Sequence, residues 1–177
     1  MQLRPPASSE DIALVARWLS LKENYQWLDF GDGRQLVSAE WIKIAVQRGT
    51  YVLRLFTSDF DDTPIGVVGL SGINAHFKTA NIWVVLGDKA HAGRGYASRA
   101  TSRMLTVGFT ELGLHAIHTW IVEHNPSVHV ARHVNFKPIG RQRQCHYIDG
   151  RAYDRLWFDV LASEHEEIRD ACYQRSA

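Results

Sequence analysis

The chain has 177 residues, 45% hydrophobic and 22% charged, with a formal charge of +1 at pH 7, the composition of one globular domain with a real core. Balanced charge argues against a broad nucleic-acid or anionic-membrane footprint, and no apolar run approaches the ~18 residues needed to span a bilayer. Two cysteines, Cys145 and Cys172, make neither a disulfide framework nor a zinc motif, and Met1 to Pro5 lacks the apolar stretch of a signal peptide, so reduced thiols in a cytoplasmic protein are expected.

A short strand at Leu3 precedes Ser8-Ser9-Glu10-Asp11, which reads as a helix start with Ser8 as cap and Asp11 three positions on. Ile12, Val15, Ala16 and Leu19 then share one helical face. Residues 24–34 are polar and aromatic, with Gly31-Asp32-Gly33 as a loop signal. Ser38 caps a second helix ending near Gly49. Residues 50–57 and 64–73, rich in β-branched and apolar residues, form a hairpin around the turn at 59–63. Residues 80–86 form the next strand, and 98–112 a helix closed by Gly113. A strand over 115–122, a short helix over 127–135 and two strands over 137–147 and 152–161, joined at Asp149-Gly150, complete the order. The fold class is therefore mixed α/β, in α+β form: a mostly antiparallel sheet of about seven strands with about four helices. One domain is expected over residues 1–163, with a polar tail over 164–177.

The most informative stretch lies between the 80–86 strand and the following helix: Leu86-Gly87-Asp88-Lys89-Ala90-His91-Ala92-Gly93-Arg94-Gly95-Tyr96-Ala97. A strand, a glycine loop and a helix start offer backbone N–H groups and a positive dipole end to an anion. A P-loop is excluded because Gly95-Tyr96-Ala97 is not Gly-Lys-Ser/Thr. A dinucleotide fold is disfavoured because three strands precede the loop without crossover helices.

This order and this loop resemble the GNAT acyltransferases over nearly the whole chain. The family signature is Gln/Arg-x-x-Gly-x-Gly/Ala, here Ala92-Gly93-Arg94-Gly95-Tyr96-Ala97, with Ala92 in place of the first polar residue. The stretch from Leu86-Gly87-Asp88 is similar to the branch containing the ribosomal-protein N-terminal acetyltransferases. Asn125-Pro126-Ser127 through Phe136 resembles the family's Asn-x-x-Ser-x-x-Val-x-x-x-Gly-Phe block, one residue shorter and with Asn135 for the glycine.

The resemblance implies an acyl-CoA-dependent N-acyltransferase, acting with acetyl-CoA on a primary amine by direct attack in a ternary complex. The acceptor is a peptide or protein N-terminus or a small amine; a non-catalytic acyl-CoA-binding domain is the alternative. Val85, Leu86 and Gly87 would pair with the pantetheine arm. The amides of Gly93, Arg94, Gly95, Tyr96 and Ala97 would hold the pyrophosphate. Asn125 would touch pantetheine, and Ser127 would lie close to the thioester sulphur. The family's glutamate and tyrosine positions fall on Asn81 and Ala131, so the proton path is open: Glu123 is the first candidate, His76, His118, His124 and His133 are others, and a water relay would also serve. Acceptor contacts are expected from Tyr25, Trp27, Asp29, Asp32, Phe30 and Trp41 and from Tyr147, Tyr153 and Trp157 in the last hairpin; Trp18, Trp41 and Trp157 suit a core better. No metal, nucleic-acid or membrane partner is expected, and the protein is expected as a monomer or homodimer.

Overall fold

A computed structural model describes residues 1–30, 37–49 and 51–168. The expectations at Gly31-Asp32-Gly33, Thr50 and Cys172 lie outside the described residues. Strand β1 (Leu3–Arg4) leads into helix α1 (Ser9–Ser20). The Ser8 hydroxyl accepts from the Asp11 N–H at 3.0 Å and the Asp11 carboxylate accepts from the Ser8 N–H at 3.3 Å, satisfying two donors left open by the helix start. The Arg4 guanidinium forks onto the same carboxylate at 2.7 and 2.8 Å and holds it well below the usual carboxylate range.

The polar-aromatic segment expected as loop opens instead with a four-residue helix, α2 (Lys22–Tyr25). Leu21 is extended (φ −75°, ψ 130°) and ends α1. The buried Asn24 side chain then donates to the Trp18 carbonyl at 2.8 Å. A single turn of four residues leaves no periodic pattern in the sequence. Ser38 starts α3 (Ala39–Gln47), its hydroxyl accepting from the Trp41 N–H.

Strands β2 (Tyr51–Thr57), β3 (Pro64–Asn74) and β4 (Thr79–Leu86) form a meander. Helix α4 (Tyr96–Thr110) crosses to β5 (Ala116–Val122); α5 (Ser127–His133) precedes the hairpin of β6 (Lys137–Ile148) and β7 (Arg151–Leu161). The seven-stranded sheet has the order β1-β2-β3-β4-β5-β7-β6. Every pairing is antiparallel except β4 with β5. The expected fold class holds, with five helices among the described residues because of α2.

The single parallel pairing positions the site. It joins only Thr79, Ala80 and Asn81 to Ala116, Ile117 and His118; beyond them the ladder between β4 and β5 stops. Side chains alternate across the sheet. Ile82 and Ile117 pack with Met104 and Leu105 of α4 on one face. Trp83 and Val85 pack with Val15 and Leu19 of α1 and Ile42 of α3 on the other.

Local signals read from the sequence are visible in the backbone. Asp149 (φ +51°) and Gly150 (φ +78°) give the hairpin turn its two left-handed residues, and Asn135 (φ +65°) closes α5. The start of the tail lies along α4: the Ile168 N–H donates to the Ser102 hydroxyl at 2.9 Å, and the His165 ring nitrogen is 2.9 Å from the Thr106 hydroxyl. Among the described residues no helix is long and apolar enough to cross a membrane.

Candidate active site

The glycine loop is held open by its anchors. Asp88 caps a short 3-10 turn, Lys89–His91, and Gly93 (φ +73°) and Gly95 (φ +76°) then turn the chain into α4. Gly95 is the N-cap of α4 and brings no side chain, so its left-handed backbone leaves the helix start bare. The Ala92 N–H donates to Lys89 O and the Arg99 N–H to Gly95 O; the N–H groups of Gly93, Arg94, Gly95, Tyr96 and Ala97 have no protein acceptor among the described residues. Five open donors at the positive end of a 15-residue helix make an anion cradle. Arg99 fixes it by forking onto Asp59 at 2.9 and 2.6 Å, which holds that carboxyl far below its usual range. The Asp59 N–H donates to the Tyr96 hydroxyl at 3.1 Å. The Tyr96 ring is buried under the Arg99 guanidinium, so its side chain braces the loop while its N–H stays open. Gly87 has a different reason to be glycine: a Cβ there would lie 2.1 Å from the Trp18 ring. Its N–H donates to Ile65 O at 2.9 Å.

Where β4 and β5 part, a cleft of about 330 Å³ opens beside this loop. Val85 and Leu86 form one wall, Trp120 and Ile121 the other, and Ala97 and Thr101 of α4 border it. Asn125 and Ser127 reach it from the turn before α5. The Asn125 side-chain oxygen accepts from the Ser127 N–H at 2.8 Å, which fixes the turn and leaves the carboxamide NH₂ uncommitted among the described residues. Ala92 and Ala131 also line the cleft and present only methyl groups to it. Lys89 closes the side nearest α2. Its ammonium donates to the Asn24 side-chain oxygen at 2.6 Å and to Leu86 O at 2.7 Å, with Glu23 at 3.8 Å. Partial burial pushes its pKa down, and Glu23 opposes that shift.

A second cavity of about 160 Å³ continues the first, sharing Trp27, Ile82, Trp83, Thr119 and Trp120. Asp29, Phe30, Tyr51, Ser71 and Asn81 line the added part. The Asn81 side chain donates to the Ser71 hydroxyl at 3.2 Å. Its other atom, Oδ1, is buried without a partner among the described residues, as are Trp83 Nε1 and Thr101 Oγ1. All three residues line one cavity or the other. Unpaired buried polar atoms are rare in folded proteins and gather where a ligand or water completes the site.

The Acetyltransferase (GNAT) domain model matches residues 1–137. The chain belongs to the GNAT acetyltransferase family. It is 31% identical over 105 residues to an uncharacterized N-acetyltransferase, p20, of Bacillus licheniformis; the match spans 59% of this chain and 58% of that relative's length. In fold it is similar to the spermidine N-acetyltransferase of Vibrio cholerae solved with CoA and spermine, with a TM-score of 0.80 at 21% identity, covering 92% of this chain and 96% of that one. A ribosomal L7/L12 α-N-protein acetyltransferase solved with coenzyme A gives 0.75 at 22% identity, covering 90% and 92%. The ribosomal-protein-S5-alanine acetyltransferase of Vibrio fischeri gives 0.74 at 18% identity, covering 93% and 94%.

In this GNAT chain the cleft brings together Val85, Leu86, Ala97, Asn125, Ser127 and Trp27, all singled out from sequence. Asp29 lines the second cavity. Tyr25 and Tyr147 are exposed and line neither cavity, and Arg94 is exposed on the loop. Glu123 sits at the end of β5 outside the cleft: its carboxylate accepts from the Asp154 N–H at 3.1 Å and has Arg141 at 3.8 Å. His118 stacks on Trp157, and burial lowers its pKa against the pull of Asp159. His124 packs edge-on to Tyr153, and His76 and His133 are exposed.

Behind the walls of the second cavity stand groups that no sequence signal marked, in contact with its lining residues Asp29 and Trp120. Arg155 of β7 forms an ion pair with Asp29 at 2.9 Å. Its Nε and Nη2 reach His146 Nδ1 at 3.2 and 3.0 Å, and its guanidinium lies 3.8 Å from the Trp120 ring centre. With Nδ1 accepting from Arg155, the His146 proton sits on Nε2, which donates to the Gln26 carbonyl at 2.7 Å. Burial is the main cause of the lowered pKa of His146; the Gln26 carbonyl opposes it, Arg155 adds to it, and Asp29 opposes it.

Proposed function

We propose that the chain transfers an acetyl group from acetyl-CoA to a primary amine. The observation that carries this reading is the loop of open amides at 93–97, set where β4 and β5 part. The loop fits a pyrophosphate, with the amides of Gly93, Arg94, Gly95, Tyr96 and Ala97 as donors and Ala92 adding none. A pantetheine arm would lie in the 330 Å³ cleft along Val85 and Leu86, reached by the free NH₂ of Asn125. Gly87 would shape that wall through its contact with Trp18 rather than by donating its N–H. The fold likeness to acetyltransferases solved with CoA supports the same donor.

The amine would enter through the second cavity, past Trp27 and Asp29, and meet the thioester at the junction of the two. Its nitrogen forms the new N–C bond while the C–S bond breaks and the electron pair passes to sulphur. The Ser127 hydroxyl would donate to the departing thiolate. Alignment of amine and carbonyl is the main contribution this chain makes, and that alone supplies ~7 kcal/mol or more in well-oriented systems. Asn81 and Ala131 offer no proton acceptor at the cleft, so the amine proton leaves through water. Glu123 acts as a positioning residue, tying the end of β5 to β7 next to the Asn125 turn. Tyr25 and Tyr147 would flank the outer path of a longer acceptor, such as a peptide N-terminus, and Arg94 would reach a CoA phosphate from outside. We place the protein in the cytoplasm, as a monomer or homodimer.

The test is amine-dependent thiol release from acetyl-CoA, with mass spectrometry of the amine. One acetylated amine per thiol is the expected result. CoA binding with no turnover across a broad amine panel would instead indicate a sensing domain.

A further inference from the structure

Among the described residues two carboxylates line the cavities, Glu23 in the first and Asp29 in the second, and each has a cation at hand. Glu23 faces Lys89 at 3.8 Å, and Asp29 faces Arg155 at 2.9 Å. The walls around Asp29 are aromatic: Trp27, Phe30, Tyr51, Trp83 and Trp120. Phe30 meets Trp83 edge-on at 4.9 Å, and Trp41 meets Tyr51 at 5.5 Å, so the box is braced. The Trp120 face, a natural seat for a cation, already carries the Arg155 guanidinium at 3.8 Å. A polycationic acceptor would therefore find its counter-charge neutralised and one aromatic face taken, while an aromatic skeleton with a single amine would find area and shape.

We propose that Arg155 sets the acceptor class of this enzyme: by masking Asp29 and covering Trp120 it adapts the second cavity to monoamines with an aromatic or apolar skeleton and against polyamines. The inference rests on the acetyltransferase reading above and adds the substrate class. Arg155 is also a positioning residue. Through His146 and Asp29 it fastens the 26–29 segment to the last hairpin, with Trp27 and Leu28 as the wall between. Specificity of this kind is a difference between two affinities, and a masked charge acts by penalising the wrong ligand.

The experiment compares kcat/KM for 2-phenylethylamine and spermidine, read by thiol release. The wild type is expected to favour the monoamine by about tenfold or more. Arg155→Met frees the Asp29 charge, and the ratio should shift toward spermidine by about tenfold, while the acetyl-CoA KM stays constant and the 2-phenylethylamine KM rises. Arg155→Lys keeps the mask and should keep the ratio, although it loses the fork onto His146. Should Arg155→Met fail to fold, Asp29→Asn gives an independent answer. It should lower both rates in equal proportion, since the carboxylate is already neutralised; a selective loss of spermidine turnover would show Asp29 unmasked and overturn the proposal. A wild type that prefers spermidine also overturns it, with the acetyltransferase reading intact. Absence of thiol release with every amine would remove that reading and this inference together.

Discussion

At one end of the cleft a run of consecutive residues, 93–97, presents open backbone donors; at the other, side chains far apart in sequence close a pocket. His146 and Gln26 meet across 120 positions. The loop's chemistry depends on backbone direction, set by Gly95 and by the pairing of buried Arg99 with Asp59. The acceptor end depends on which side chains the β6–β7 hairpin brings over α2. On the proposed reading, donor binding is exposed to backbone changes at a few positions, and acceptor choice to single side-chain changes that leave the loop alone.

The sharpest way to break this division is Gly95→Asp. It sets a carboxylate at the cradle and asks a non-glycine residue to hold φ +76°. CoA affinity by calorimetry should fall by about 100-fold or more, equal to ~2.8 kcal/mol, with the circular dichroism spectrum retained. Unchanged affinity would remove the loop from donor binding. Lys89→Met comes next. It cuts the bonds to Asn24 and Leu86 O that join α2 to the loop. The acetyl-CoA KM should rise about tenfold, in line with the worth of a partly exposed charged hydrogen bond. A rise in the acceptor KM alone would blur the boundary between the two ends.

The third prediction concerns pH. Burial lowers the pKa of His118, His146 and His165 below the ordinary 6.5. The unfolded chain then takes up these protons first as pH falls, so stability is full above pH 6.5 and declines below it. Thermal midpoints should be flat from pH 7 to 8 and drop below 6.5. His146→Gln should make that drop shallower, and an unaltered slope would show that His146 titrates normally. The smallest effect belongs to Glu123. Glu123→Ala should lower kcat about threefold by loosening the end of β5, and Glu123→Gln, which keeps an acceptor for the Asp154 N–H, should restore it. A far larger loss in Glu123→Gln would mark a proton-transfer role.

What the sequence made legible follows the same division. Ser8, Ser38, Gly113, Asn135 and Asp149-Gly150 are local signals, and each shapes the backbone within a few residues of itself. The donor side of the cleft was legible for a related reason: its loop lies in one stretch, and Asn125 and Ser127 sit in one turn. Helix α2 was not, because it is one turn held through the Asn24 side chain, which meets Trp18 O and the distant Lys89. Arg155 and His146 were not, because nothing near them in sequence marks a partner 120 residues away. Glu123 ends its strand as expected, yet its carboxylate turns to the β7 backbone, an outcome decided by strand pairing.

The central claim is that the 93–97 loop holds the pyrophosphate of coenzyme A. Calorimetric titration of the wild-type protein with CoA and, separately, with pantetheine, which lacks the pyrophosphate, tests it most directly. Removal of the pyrophosphate together with the phosphoadenosine it carries should weaken binding by about 100-fold or more. Equal affinity for the two ligands would contradict the account.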